Sequence, residues 1–271
     1  MTYKAFDFKL KQPEIYRDIF IAKLAEAGFE GFVETKQGFT AYTELDINPD
    51  QYLNNFDVEY TYTTSKIPEQ NWNKTWEKQI KPLVIDDFIY IKTSFHPPKD
   101  YPLVLTIDPK MSFGTGHHET TFLMIQQLLE LKWNNKIVLD MGAGTGVLAV
   151  LTNKFGAQQV YAVDNDKWAY ENMLENFEKN QSQNIKAILG DANVLENLPR
   201  FDVILANINR NILLQDMTTY SQKLKKNGYL ILSGFYLDDV PLLLHSAQKN
   251  GMIFEKQLEK NNWISLRLKK M

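Results

Sequence analysis

Several short apolar runs in this chain each end in a residue that can bind or orient a ligand. Val138-Leu139-Asp140 runs into Met141-Gly142-Ala143-Gly144-Thr145-Gly146, a buried strand entering a glycine turn with a helix to follow. Glycines such as Gly142 and Gly144 allow positive φ and let a ligand come close to the backbone. The spacing is GxGxG, and Val147 stands where a dinucleotide-binding turn would have its third glycine. Asp140 at the strand end would repel a pyrophosphate. It suits a cofactor that carries a sulfonium and an amino group, S-adenosylmethionine. On this motif alone, a nucleotide site and a purely structural turn both stay open.

Ala162-Val163-Asp164 ends the next run, 24 residues beyond Asp140. A carboxylate at that place can accept hydrogen bonds from both ribose hydroxyls. Asn165 and Asp166 beside it fit a helix cap and its dipole-compensating neighbour. Gly190-Asp191-Ala192 closes the third run, where an acid commonly meets the adenine amino group; Asp191 as a plain loop residue is the alternative. The fourth run ends in Leu205-Ala206-Asn207-Ile208-Asn209-Arg210. Strand carboxyl ends in parallel sheets face the ligand crevice, so the Asn207 amide oxygen can accept a hydrogen bond from an attacking amine and orient its lone pair. Asn207 also fits as the N-cap of a helix that starts at Ile208.

The segment Asp108-Pro109-Lys110-Met111-Ser112-Phe113-Gly114-Thr115-Gly116-His117-His118-Glu119-Thr120-Thr121 is rich in glycines and hydroxyls and precedes the first of these runs. In that position it can fold over the cofactor and close the transfer site. His117 and His118 invite a metal reading, but no third ligand with suitable spacing accompanies them.

These residues need elements to position them. Strands are predicted at Ile137–Asp140, Val160–Val163, Ile185–Leu189, Val203–Asn207 and Tyr229–Ser233. Helices are predicted at Phe122–Leu131, Val147–Phe155, Lys167–Asn180, Ile208–Leu224 and Val240–Asn250. Such alternation implies an α/β fold with a doubly wound parallel sheet. Ile253–Leu258 and Trp263–Leu268 follow each other through Asn261-Asn262, a terminal antiparallel hairpin of the kind found in class I methyltransferases. Residues 1–64 predict a small domain in the order strand, helix, strand, strand, helix, strand, the ferredoxin-like arrangement, with a hairpin turn at Gln37-Gly38 and a last strand at Val58–Thr63. Residues 65–82 form a connector with a helix carrying Trp72 and Trp76, and residues 83–271 form the main domain.

Composition narrows the setting. The chain has 271 residues, 44% hydrophobic and 23% charged, as in ordinary globular proteins. It has no cysteine, which excludes disulfides and a thiolate nucleophile. The absence of a long apolar run and of a secretory block in Met1–Lys11 points to the cytoplasm. Residues 1–64 hold six Lys and Arg against eleven Asp and Glu, a balance of −5. That sign is wrong for RNA and suits a basic protein partner, or a plain solvated surface.

Asp-Pro-x-x-x-Phe-Gly-Thr-Gly-x-His-x-Thr-Thr, the glycine turn, the acid at 164 and Ala-Asn-Ile at 206–208 together resemble the bacterial ribosomal protein L11 methyltransferases. Ser233-Gly234 fits the same pattern, and the resemblance covers the whole chain. It implies transfer of methyl groups from S-adenosylmethionine to lysine or N-terminal amines of a ribosomal protein at the base of the large-subunit stalk. It also implies cofactor contacts at Thr121, Gly142, Asp164 and Asn207, with Asp140, Gly144, Gly116 and Asp191 around them. The first domain would grip the substrate protein, and the amine would be presented at Asn207, Phe113 and His118. The chain departs from the family at His117, Glu119 and Asn209-Arg210. It lacks the Asn-Pro-Pro-Tyr signature of enzymes that methylate nucleobase or glutamine nitrogens. An RNA methyltransferase, which would want a basic auxiliary domain, and a non-catalytic cofactor-binding module stay open at this point.

Overall fold

Alternating large apolar and polar residues shape the first part of the chain. In a computed structural model that describes residues 4–43, 45–53, 56, 58–66, 81–110, 112, 114 and 118–271, the chain divides into two compact units, Met1–Trp72 and Asn73–Met271. The connector helix expected around Trp72 and Trp76 lies outside the described residues, as do Phe113 and Gly116.

In the first unit, strands β1 (Lys4–Leu10), β2 (Gly31–Thr35), β3 (Gly38–Thr43) and β4 (Tyr60–Lys66) form a sheet in the order β2-β3-β1-β4, every pair antiparallel. The helix Pro13–Glu26 starts on a proline, which lacks an N–H it would not have used. It buries Phe20 and Leu24 against Phe6, Phe8 and Phe39. Phe8 stacks on Phe39 at 4.9 Å, and Phe20 meets Tyr60 edge-on at 5.3 Å. Gly38 is not the turn residue that the sequence suggests. It is the first residue of β3, where a Cβ would lie 2.1 Å from the Phe8 carbonyl oxygen of the paired strand β1, so its glycine serves the close approach of the two strands. The last strand runs Tyr60–Lys66 and not Val58–Thr63, because β1 pairs along its whole length, from Lys4 opposite Lys66 to Leu10 opposite Tyr60.

The second unit opens with a small sheet, β5 (Leu83–Ile85), β6 (Ile89–Lys92) and β7 (Leu103–Thr106), turned at Asp86 and Asp87 with φ near 50°. β7 pairs parallel with β6 and was not foreseen from its four residues. The main sheet holds β8 (Ile137–Met141), β9 (Gln159–Asp164), β10 (Ile185–Leu189), β11 (Phe201–Asn207), β12 (Leu224–Tyr236), β13 (Met252–Lys260) and β14 (Trp263–Lys270). Their order is β10-β9-β8-β11-β12-β14-β13, parallel from β10 to β12, with β14 antiparallel to both neighbours.

Both faces of the central strands are covered, which is why β8, β9, β11 and the middle of β12 read as apolar runs. Val138, Val160 and Leu205 pack under the helices Glu119–Leu129, Val147–Lys154 and Lys167–Lys179. Leu139, Val163 and Ile204 face Leu213, Met217 and Leu243 of the helices Arg210–Lys223 and Val240–Lys249. From β8 the chain winds outward through β9 to β10, and from β11 it winds the other way to β12. The carboxyl ends of β8 and β11 therefore flank the point where the winding reverses, where such folds bind ligands. Among the described residues no helix is long and apolar enough to cross a membrane.

Candidate active site

Above that reversal point lies a cavity of about 560 Å³, bordered among others by Gly142, Gly144, Asp164, Asn207 and His118. Its floor is the glycine turn. Gly142, Gly144 and Gly146 have φ of 68°, 56° and 76°, a conformation that side chains rarely adopt. A Cβ on Gly142 would lie 2.2 Å from Ile208 Cγ2, so only glycine lets the ends of β8 and β11 come together here.

Asp164 is placed by the same turn. Its Oδ2 accepts the Gly144 N–H at 2.8 Å and its Oδ1 accepts the Asp166 N–H at 3.0 Å. Each oxygen keeps a further lone pair for a hydroxyl. Asp166 caps the helix Lys167–Lys179 by accepting from the Trp168 and Ala169 N–H groups at 2.6 and 3.1 Å.

Asn207 ends β11. Its Nδ2 donates to Thr121 Oγ1 at 3.3 Å, while its Oδ1 is buried without a hydrogen-bond partner among the described residues. A buried acceptor left open beside a cavity marks a place for a ligand donor. The N-cap role that Asn207 could have held falls to Asn209, whose Oδ1 accepts from the Ile212 N–H at 3.2 Å. The following helix accordingly begins at Arg210, not Ile208.

Asp140 and Asp191 sit elsewhere. Asp140 is only 1% exposed, beneath the turn, and its Oδ2 accepts the Ala149 N–H at 3.0 Å in the first turn of the helix Val147–Lys154. Burial pushes its carboxyl up to about 7, the Ala149 N–H opposes this, and the neighbouring Asp164 charge adds to it. Asp191 is exposed and caps the 3-10 turn Ala192–Asn197 through the Asn193 N–H at 2.9 Å.

His118 caps the helix Glu119–Leu129, its Nδ1 accepting the Thr120 N–H at 3.3 Å. That cap starts the helix three residues before the predicted Phe122. No group of three metal-ligating side chains occurs among the described residues. The segment before His118 is anchored at its base. Asp108 accepts from the Ser94 N–H at 2.7 Å and from Lys179 Nζ at 2.6 Å. Asn172 and Asn176 donate to the Asp108 carbonyl at 2.8 and 3.2 Å. Burial acts to raise the Asp108 pKa, but Lys179 and Ser94 outweigh it and hold the carboxyl below its usual range. Further along, Thr145 Oγ1 donates to the Gly114 carbonyl at 2.6 Å, tying the segment to the glycine turn.

Ser112 and Thr120 of the hydroxyl-rich segment also border the cavity, as do Trp168, Ile212 and Trp263, which went unremarked as site residues in the sequence. The indole of Trp168 is 76% exposed. A tryptophan in the first turn of a helix, four residues past the strand-end acid Asp164, was the available signal. Trp263 starts β14 and packs against Tyr236 at 4.1 Å between ring centroids; it comes near only through the fold.

A family model described as ribosomal protein L11 methyltransferase (PrmA) matches residues 17–271. The chain belongs to this family. It is 41% identical over 279 residues to the ribosomal protein L11 methyltransferase of Bacteroides thetaiotaomicron, covering 98% of this chain and 99% of the relative. Among solved structures it is similar to a ribosomal protein L11 methylase from Lactobacillus delbrueckii subsp. bulgaricus, with a TM-score of 0.64, 24% identity, and coverage of 71% of this chain and 100% of that one. It is also similar to M. jannaschii TYW2 in complex with AdoMet, with a TM-score of 0.50, 18% identity, and coverage of 70% and 100%. At those identities the two structures bear on the fold alone, which is that of class I methyltransferases. Membership of the L11 methyltransferase family sets aside the RNA methyltransferase and the non-catalytic module as readings of this chain.

Proposed function

We propose that this chain transfers methyl groups from S-adenosylmethionine to amino groups of ribosomal protein L11, in the cytoplasm, with Asn207 orienting the amine. The observation that carries this is the unpartnered, buried Asn207 Oδ1 beside a cavity floored by Gly142 and Gly144. The residues present fit the cofactor. Asp164 would take the ribose hydroxyls on its two remaining lone pairs, and the positive-φ glycines would let the ligand lie against the backbone. Thr121 would support the cofactor side while holding Asn207 through its hydroxyl.

Bound there, S-adenosylmethionine supplies a methyl group on a sulfonium, an electrophile strong enough to need no general base. The chain's own task is to hold a neutral amine in line. A lysine amine has an ordinary pKa near about 10.4, so little is neutral at pH 7. Desolvation in the closed cavity lowers that pKa and raises the reactive fraction. The Asn207 Oδ1 accepts one amine N–H, which aims the lone pair away from Asn207 and fixes the approach. Phe113 and His118 would border the amine's path, and Gly116 would lie in the segment closing over the cofactor. The acidic first unit would recruit a basic ribosomal protein by steering, an effect weakened by salt.

Asn207→Ala tests the assignment. Single-turnover methylation at saturating substrates is expected to fall roughly tenfold to a hundredfold, while affinity for S-adenosylhomocysteine changes little. A defect confined to cofactor affinity would make Asn207 a cofactor ligand only and overturn its role toward the amine.

A further inference from the structure

The turn between the last two strands reaches the helix Glu119–Leu129 and grips its first turn from outside. Asn261 Nδ2 donates to Glu119 Oε1 at 3.0 Å. Lys260 Nζ stands 3.7 Å from the centroid of the Phe122 ring, a favourable cation–π distance. The Trp263 ring meets that of His118 edge-on at 4.9 Å. Residues 118, 119 and 122 are thus held at one end of one helix. The same helical turn carries Thr121, whose hydroxyl receives the Asn207 amide N–H. In this arrangement the Asn207 nitrogen faces Thr121 and its Oδ1 is left as the open acceptor.

Asn261 and Asn262 have φ of 50° and 67°, a two-residue turn that glycine accepts as well as asparagine does. The turn's backbone therefore does not require the Asn261 side chain. What that side chain does is hold Glu119, and the Asn261 amide is the foremost cause keeping the Glu119 carboxyl below its usual range.

We propose that the Lys260–Asn262 turn is a positioning element for methyl transfer. It sets the first turn of the helix Glu119–Leu129 and, through Thr121, the direction in which Asn207 offers its amide oxygen. The inference rests on the role given to Asn207 above. Lys260, Asn261 and Glu119 touch neither cofactor nor amine in this scheme; they act through Thr121 and Asn207.

The test is a double-mutant comparison in the full chain, read by single-turnover methylation of ribosomal protein L11 at saturating S-adenosylmethionine. Asn261→Gly, which keeps the turn, is expected to lower the rate about fivefold, the scale set by losing one hydrogen bond. Affinity for S-adenosylhomocysteine should stay within about twofold, since no cofactor contact is removed. Glu119→Gln, which keeps an acceptor oxygen for Asn261, should retain the rate, and Glu119→Ala should match Asn261→Gly. In an Asn207→Ala background, Asn261→Gly should cost nothing further, because the group it positions is gone. An equal fivefold loss in both backgrounds, or no loss in either, overturns the proposal while leaving Asn207 in its role. If Asn207→Ala alone keeps the full rate, the role of Asn207 falls, and the positioning proposal falls with it.

Discussion

Asp140 makes the stability of this protein depend on pH in an unusual direction. Its carboxyl is 1% exposed and is pushed up to about 7 from an ordinary value of 3.8, first by burial and then by the charge of Asp164. Unfolded, the same group ionises near about 4. Between those values the folded state holds a proton that the unfolded state has lost, so this group's contribution to stability declines as pH rises from 4 to 7. The full difference corresponds to ~4 kcal/mol, accrued at ~1.4 kcal/mol per pH unit. Asp140→Asn removes the ionisation and keeps an oxygen for the Ala149 N–H. Any packing defect it introduces is independent of pH. The assay is urea unfolding of the cofactor-free protein and the variant from pH 4 to 8.5, followed by tryptophan emission. The stability of Asp140→Asn relative to wild type should climb steadily through that window and level off above pH 7. A difference that stays flat to within ~0.5 kcal/mol would show that Asp140 is ionised throughout, and the account of its burial would be refuted.

Asp164→Ala should weaken S-adenosylhomocysteine binding by about 1.5–3 kcal/mol in calorimetric titration, since it removes a charged acceptor; unchanged affinity would take Asp164 out of the site. Asp108→Ala should lower the thermal stability of the protein at pH 7 by ~2 kcal/mol, because Lys179 and the Ser94 N–H lose their acceptor. The lowered Asp108 pKa makes that contribution fully present above the ordinary carboxylate range and lost as pH falls through the folded value. The wild-type advantage should therefore shrink by pH 3, and an advantage that persists there would assign it to something other than charge.

Much of the main domain was legible in the sequence because β8, β9, β11 and β12 carry buried apolar runs and each leads into an α-helix. Element boundaries were less so, because caps decide them. His118 and Asn209 start their helices by side-chain acceptance, a choice that neighbouring hydroxyls and amides such as Thr120 and Asn207 equally suggest. Gly38 shows the same limit. A glycine beside a predicted turn reads as a turn residue until its pairing with β1 beside Phe8 is known. Within the candidate site, Gly142, Gly144, Asp164, Asn207 and His118 meet at one cavity, and their shared position at strand ends or a helix start is readable from pattern. Asp140 and Asp191 occupy equivalent strand ends, yet neither borders the cavity and each accepts an N–H at a local helix start, a matter of side-chain direction that no local pattern reveals. The Asp108 network joins residues 94, 108, 172, 176 and 179 across a distance in sequence that no local pattern spans.

Strand β14 follows the other described strands of its sheet in sequence, yet it lies inside that sheet, between β12 and β13. While a chain is being synthesised and has not yet reached Trp263, β12 lacks its antiparallel partner and β13 lacks the strand it pairs with among the described residues. The row of Leu266 and Leu268, which completes the core on that side, is missing as well. The cavity is also incomplete, since Trp263 forms part of its border. A nascent or prematurely ended chain can therefore assemble the glycine turn and Asp164 without closing the site around them. Chains that stop short of Trp263 are left with an unpaired apolar edge along β12, which invites pairing with other chains.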